Sequence, residues 1–294
     1  MRKVFFCRKR LFHFHKVLNR SNSGTACLVI FITIGAMLMS LPLVLSISNS
    51  LKPLDELWIF PPRLFPRNPT FGNFRDMTSV LAASWVPFSR YLFNTVFITV
   101  AGTAGNIFLV SMCAYPLAKR RFPGCRVLFN MIVLALMFNG TVTAIPNYIT
   151  IASMGWIDTY WALIIPAIAS PMGLYLMKQF MEQIPDSLLE AATIDGAGQF
   201  QIFSKIVMPN VKSAWLTLIL LSVQSLWNMG ASSFIFSEEL KTLAYALGQI
   251  MAGGIARAGV GAAVSVCMMI VPIGIFIITQ SNIIETMSSS GMKD

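Results

Sequence analysis

Charge is what this sequence has least of. Asp, Glu, Lys and Arg together make up 12% of its residues, about half the share that soluble domains carry. The chain is long enough to bury a large soluble core, but its apolar residues come in long runs without a 3.6- or 2-residue period, which argues against a soluble fold. Hydrophobic residues make up 55% of it and the mean hydropathy is +0.68. Histidine is almost missing: His13 and His15 are the only two, both in a basic tail. The five cysteines, Cys7, Cys27, Cys113, Cys125 and Cys267, show no C-x-x-C spacing, so a disulfide framework or a metal cluster is excluded. There is no G-x-x-x-x-G-K-[ST] segment and no Gly-Lys pair at all, so this chain does not cradle ATP phosphates in the usual way. The net charge of +10 lacks the basic stripe interleaved with aromatics that a nucleic-acid surface needs.

What is present is a set of apolar runs. About 20 apolar residues cross a bilayer core, and six runs qualify: Thr25–Ser48, Tyr91–Tyr115, Val127–Tyr148, Thr159–Met181, Ala214–Phe236 and Val260–Asn282. The first is too long for a signal-peptide core, and no small-x-small site follows it, so it is expected to stay as an anchor. Residues 1–24 then form a basic tail, 25–282 one membrane domain, and 283–294 a second tail. Lys and Arg number 15 on the side of the two tails against seven on the other, which predicts that both termini are cytoplasmic. Trp58, Trp85 and Trp156 fall in or beside the outward connections, as an interfacial belt would. The expected fold is an all-α integral membrane bundle of six spans. Prolines 42, 116, 146, 166, 171 and 272 predict kinks or broken helices in it.

One connection, 182–213, is long, cytoplasmic in this topology and patterned. From Pro185 it reads as a helix start, with Asp186 in the first turn where the helix dipole favours an acid. Asp195-Gly196 reads as a turn. Phe200, Phe203 and Ile206 recur at three-residue steps and predict an apolar edge on a second short helix, with Pro209 ending it. The first outward connection, 49–90, is long and proline-rich, and long ordered connections usually carry function.

Glu190, Ala191, Ala192, Gly196, Ile206 and Pro209 resemble the EAA loop of binding-protein-dependent ABC importers: E-A-A, three residues, G, nine residues, then I-x-L-P. Met208 replaces the usual leucine, a volume-conserving change. The resemblance extends to the runs Arg90–Thr95, Ala114–Lys119 with Phe122-Pro123-Gly124, Asp158–Leu163, Phe180 with Ile184-Pro185, and Trp227-Asn228. These are similar to the carbohydrate-importer permeases, maltose-type smaller subunit. Phe138-Asn139-Gly140 departs from the proline common in the maltose-type branch and looks more like the branch handling complex oligosaccharides.

The resemblance implies a type I importer permease in a bacterial or archaeal plasma membrane. Its partners would be a second six-span subunit, two ATPase subunits carrying ATP and Mg, and an extracytoplasmic solute-binding protein. The cargo would be a sugar or oligosaccharide. In this reading Glu190 orients the loop, Gly196 permits its turn, Asp195 precedes it, and Phe200 and Phe203 give apolar contact to the ATPase. Glu285, Gly291 and Lys293 would lie in a tail contacting the ATPase, and 237–258 in a loop reaching toward the binding protein, its glycines suited to mobility. This chain carries no cofactor or catalytic residue of its own.

Gln224 and Asn228 are four apart on the fifth run, hence on one face, with Trp227 adjacent. Two roles stay open for them: contact with a sugar, or hydrogen bonding between helices. The same choice applies to Asn94, Asn106, Asn139 and Asn147. Three rivals are weighed. An ABC importer for a non-sugar solute shares the loop. A secondary transporter or channel would place ionisable residues within its spans, and these are almost free of them. A membrane enzyme lacks a catalytic set.

Overall fold

A computed structural model of the chain describes residues 22–82, 85–138, 140–230, 232–254 and 257–290, with only the backbone for 22–23, 81–82 and 281–290. Asn139 and the tail positions Gly291 and Lys293 lie outside the described residues, as does the side chain of Glu285. Every regular element among the described residues is helical. The chain divides into two units, one ending at Leu45 and the other starting at Ser46. The first contains most of α1 (Asn22–Ser50), an apolar helix with Pro42 inside it.

The second unit runs through α2 (Leu54–Leu57), α3 (Gly72–Ala82), α4 (Phe88–Lys119), α5 (Cys125–Ala135), α6 (Gly140–Ser153), α7 (Trp161–Ile168) and α8 (Pro171–Glu182). It continues with α9 (Asp186–Ile194), α10 (Gln199–Ile202), a π-turn (Phe203–Val207), α11 (Met208–Asn210), α12 (Lys212–Trp227), a 3₁₀ turn (Glu238–Leu240), α13 (Leu243–Met251) and α14 (Ala258–Ser290). α4 is the centre of the unit, packing against α7, α8, α12 and α13. It is able to lie so close because Gly102 and Gly105 have no side chain. A Cβ on Gly102 would stand 2.7 Å from Leu226, and one on Gly105 2.6 Å from Ile168.

Among the described residues, four helices are long and apolar enough to cross a membrane: Gly24–Ser50, Phe88–Lys119, Trp161–Glu182 and Ala258–Gln280. They match the first, second, fourth and sixth expected spans. The other two differ. The expected span Val127–Tyr148 is two helices meeting at 111°. The expected span Ala214–Phe236 stops being helical at Trp227, where the Asn228 amide turns back and donates to the Gln224 carbonyl at 2.9 Å. Sixteen helical residues rise only about 24 Å, short of the ~30 Å hydrocarbon core. Met229, Phe234 and Ile235 serve instead to pack an irregular segment. α12 meets the preceding Gln199–Asn210 helix at 76°, so the described residues hold four candidate spans, or up to six with each bent pair taken as one.

Pro171 acts as expected. It lacks an N–H to continue α7, so the chain breaks at Ala169 and restarts with Ser170 as N-cap, its hydroxyl accepting from the Gly173 N–H at 3.1 Å. The freed carbonyls of Ala167 and Ile168 are taken by the Asn106 side chain, at 3.1 and 3.0 Å. For Asn106 this is the helix-to-helix role of the two left open by the sequence.

The proline-rich connection 49–90 is ordered by buried polar groups. Lys52 donates to Asn49 Oδ1 and to the Arg63 carbonyl, while Asn73 donates to the carbonyls of Ser50 and Lys52. The glycines of 237–258 lead to a different outcome from the expected mobile loop. Leu243, Ala246, Leu247 and Ile250 fall on one face and are buried, making α13 an ordered helix packed against α4 and α14. Here the apolar period outweighs Gly248.

Candidate functional site

The patterned connection folds as two short helices around a glycine. α9 begins at Pro185 in an extended conformation and carries Asp186 in its first turn. It ends in a Schellman cap: the Ala197 N–H reaches the Ala192 carbonyl at 3.0 Å and the Gly196 N–H reaches that of Thr193 at 3.1 Å. Gly196 has φ +83, the left-handed region that a glycine enters without the Cβ penalty. α10 opens at Gly198, whose N–H is capped by the Gln201 side chain at 3.1 Å.

The expectation that Pro209 ends this second helix is not met. Helix continues to Asn210 because a π-turn intervenes, with the Met208 N–H bonded to the Phe203 carbonyl five residues back. That wider turn starts a new short helix in which Pro209 sits at the second position, where its missing donor costs little.

A single apolar core fastens the pair to the bundle. Ala192, Ile202 and Val207 are buried with Val110 and Ala114 of α4, Met177 and Met181 of α8, and Val211, Ala214 and Leu218. The buried edge is Ile202 and Val207. Of the expected apolar edge, Phe200 is 71% exposed while Phe203 and Ile206 pack partly against the core. Phe203 lies 5.6 Å from the Tyr115 ring, centre to centre. Glu190, Ala191, Asp195 and Gly196 are all exposed, and Glu190 forms no hydrogen bond or ion pair among the described residues.

Lys119, at the end of α4, pins the start of α9. Its ammonium donates to the Ile184 carbonyl at 2.5 Å and to Asp186 at 2.8 Å. The bond from Lys119, with its charge, holds the Asp186 carboxyl below its ordinary value. Trp215 Nε1–H donates to the Met208 carbonyl at 3.2 Å, tying α12 to the same body. Lys119 and Tyr115 belong to the run Ala114–Lys119, so the sequence pointed to the stretch without saying which residue acts.

The opposite end of α4 is also tied. Asn94 is fully buried. Its amide donates to the carbonyls of Glu239 and Lys241 at 2.8 and 2.9 Å, and its oxygen accepts from the Tyr160 hydroxyl at 2.7 Å. The Tyr91 hydroxyl donates to Glu238 at 2.8 Å. Asp158 accepts from the Phe236 and Ser237 N–H groups at 3.0 and 2.9 Å and from the Ser237 hydroxyl. Those bonds, Ser237's hydroxyl first, hold its carboxyl below the ordinary value. Thus the runs Arg90–Thr95 and Asp158–Leu163 converge on the segment 236–241.

Because the folded-state value of Asp158 is depressed, its stabilisation is present above the ordinary carboxylate range and is lost as pH falls through the depressed value. Asp158→Asn should cost about 1 kcal/mol at neutral pH and flatten the acid limb of the melting curve. Thermal melts of both proteins across the acid range, showing identical pH dependence, would remove this role.

Gln224 and Asn228 stay together, the Asn228 amide donating to the Gln224 carbonyl, but Trp227 points away from them. Trp227 is buried, its N–H donating to the Met268 carbonyl of α14 at 3.0 Å, while Gln224 and Asn228 are exposed. Among the described residues no group of His, Cys, Asp or Glu could hold a metal ion.

Relatives are recognisable across much of this architecture. Protein LplC of Bacillus subtilis is 33% identical over 202 residues, covering 69% of this chain and 66% of LplC. The polygalacturonan/rhamnogalacturonan transport system permease protein YtcP of the same organism is 36% identical over 160 residues, 51% of this chain and 55% of YtcP. The chain thus spans just under two thirds of the one relative and just over half of the other. A chain in the crystal structure of a bacterial ABC transporter involved in the import of the acidic polysaccharide alginate superposes with a TM-score of 0.74. It is 25% identical, and the match covers 90% of this chain and 98% of that one. Residues 106–286, which run from the Asn106 brace through the two-helix segment into α14, match the family model for the inner membrane component of binding-protein-dependent transport systems, and the chain belongs to that family.

Proposed function

We propose that this chain is one of two membrane subunits of an ATP-driven, binding-protein-dependent importer, and that its cargo is a sugar or oligosaccharide. The observation that carries the reading is the two-helix segment 186–210. It is fixed to α4, α8 and α12 on one side by a common core and presents Glu190, Asp195, Gly196 and Phe200 to solvent on the other. A rigid knob with an apolar tip suits the cleft of a separate ATPase, and this chain's lack of a phosphate loop makes a separate ATPase necessary. Closure of two such ATPases would push on the knob and rock the spans between inward-open and outward-open states.

The lysine and arginine asymmetry supports cytoplasmic termini and a knob on the same side. Six spans are reached when each bent pair crosses once. Saccharide cargo is supported by the names of YtcP and the alginate importer. Gln224 and Asn228, exposed on one face of α12, are the residues proposed toward the solute path, with buried Trp227 supporting that helix from behind. Glu285, Gly291 and Lys293 are proposed to touch the ATPase.

Gentle affinity purification from native membranes should retain an ATPase and a second membrane chain, and both should be lost when the exposed residues of 190–200 are replaced. Recovery of a well-folded chain alone would overturn the reading. Uptake of labelled oligosaccharides by cells with and without the chain tests the cargo.

A further inference from the structure

Beyond transport itself, we propose that the Lys119 end of α4, together with α5 and α8, holds an anionic phospholipid. Its headgroup would sit in an arginine-lined pocket and an acyl chain in a groove one helical turn deeper. At Arg120 the chain leaves α4 in an extended conformation. Gly124, at φ +88, reverses it, and Arg126 in the first turn of α5 returns to the same cavity as Arg120 and Arg121. That cavity has a volume of about 580 Å³ and is also lined by Lys178 and Glu182 of α8.

Lys178 is 7% exposed, lies 3.8 Å from the centre of the Phe129 ring and is bridged to Glu182 at 2.6 Å. Glu182 is the only acid lining the cavity among the described residues, and Lys178 already matches its charge. Arg120, Arg121 and Arg126 form no ion pair among the described residues. Asp186, which senses Arg121, is itself paired with Lys119. Three positive charges thus converge on one cavity at the end of candidate membrane spans, where an anion is attracted.

A second cavity, of about 470 Å³, follows along the same three helices, lined by Leu109 and Cys113 of α4, Leu128, Met131 and Ile132 of α5, and Leu174 of α8. Cys113 precedes Leu117 by one turn, and Leu174 precedes Lys178 by one turn, so the two cavities succeed each other along the helices. A soluble anion would satisfy the arginines and leave the groove empty. An apolar partner helix would fill the groove and leave the arginines unmatched. A phospholipid with a net negative headgroup satisfies both.

The test is native mass spectrometry of the full chain, with whatever subunits co-purify, in detergent doped with phosphatidylglycerol or phosphatidylcholine. Phosphatidylglycerol should be retained and phosphatidylcholine not. The triple variant R120Q/R121Q/R126Q should lower phosphatidylglycerol retention roughly tenfold or more. Cys113→Trp, which fills the groove and leaves the charges alone, should lower it comparably, so the idea stays testable if the triple variant misfolds. Undiminished retention by either folded variant overturns the proposal. So does complete displacement by excess inorganic phosphate, which would mean a soluble anion, or crosslinking of the arginine pocket to an ATPase segment instead of lipid. Because lipid retention is read directly, failure of the importer reading, seen as missing partner subunits, is a separate result.

Discussion

Replacing Gly196 with valine should abolish uptake while the partner ATPase continues to hydrolyse ATP. The reason is local. Gly196 sits at φ +83, where a residue with a Cβ loses about 1–2 kcal/mol and a β-branched one more. Space is not the issue, because a Cβ there would meet nothing within 4 Å. A valine would therefore distort the Schellman cap and misdirect Glu190, Asp195 and Phe200 while the buried residues beneath stay packed. Asparagine, which enters the left-handed region readily, provides the control. Gly196→Asn should retain most uptake and Gly196→Val should retain almost none, each measured beside the ATPase rate of the purified complex. Equal uptake by the two variants would show that the backbone conformation at this turn is not what couples the chains.

The second large effect is expected in stability. Asn106→Leu should lower the unfolding free energy by about 2–4 kcal/mol, read as a clear drop in melting temperature in detergent. The substitution removes the Asn106 donor from the Ala167 carbonyl, leaves the Ile168 carbonyl with the Ser170 N–H alone at the break between α7 and α8, and removes the acceptor of the Ser222 hydroxyl. Hydrogen bonds between membrane helices average well below their nominal worth, but here several are lost at once inside a packed site. Asn106→Ala should cost a similar amount, with a cavity in place of the leucine's bulk. If both variants melt with the parent protein, water or backbone adjustment must satisfy the break, and the asparagine is not the brace inferred from its geometry.

Much of this was legible in the sequence, and the reasons differ by element. α1, α4, the α7–α8 pair and α14 were readable because hydrocarbon thickness sets a length that an apolar run either meets or does not. The turn at Gly196 was readable because only a few residues tolerate its conformation. The burial of Ile202 and Val207 was not legible because a π-turn inserts an extra residue into the repeat, and nothing in Phe203–Val207 announces it. The end of α12 was misread because Met229, Phe234 and Ile235 are apolar for packing, not for crossing lipid. The pairing of Asn94 with Tyr160 spans 66 residues of sequence and that with Glu239 and Lys241 well over a hundred, and no local pattern could have reported it. Gln224 and Trp227 illustrate the limit from the other side: spacing placed Gln224 with Asn228 correctly, yet only packing shows Trp227 turned into α14.

The length of α4 carries a mechanical meaning. Lys119 at one end grips the knob, and Asn94, 25 residues away, grips the segment 239–241, so the two grips are about 37 Å apart along a single unbroken helix. A helix that stiff works as a lever: pivoting it by about 10° at the Lys119 end sweeps the Asn94 end through roughly 6 Å, the width of a hexose ring. Small strokes at one face of the bilayer would thus become gate-sized openings at the other, with α4 as the single arm between them.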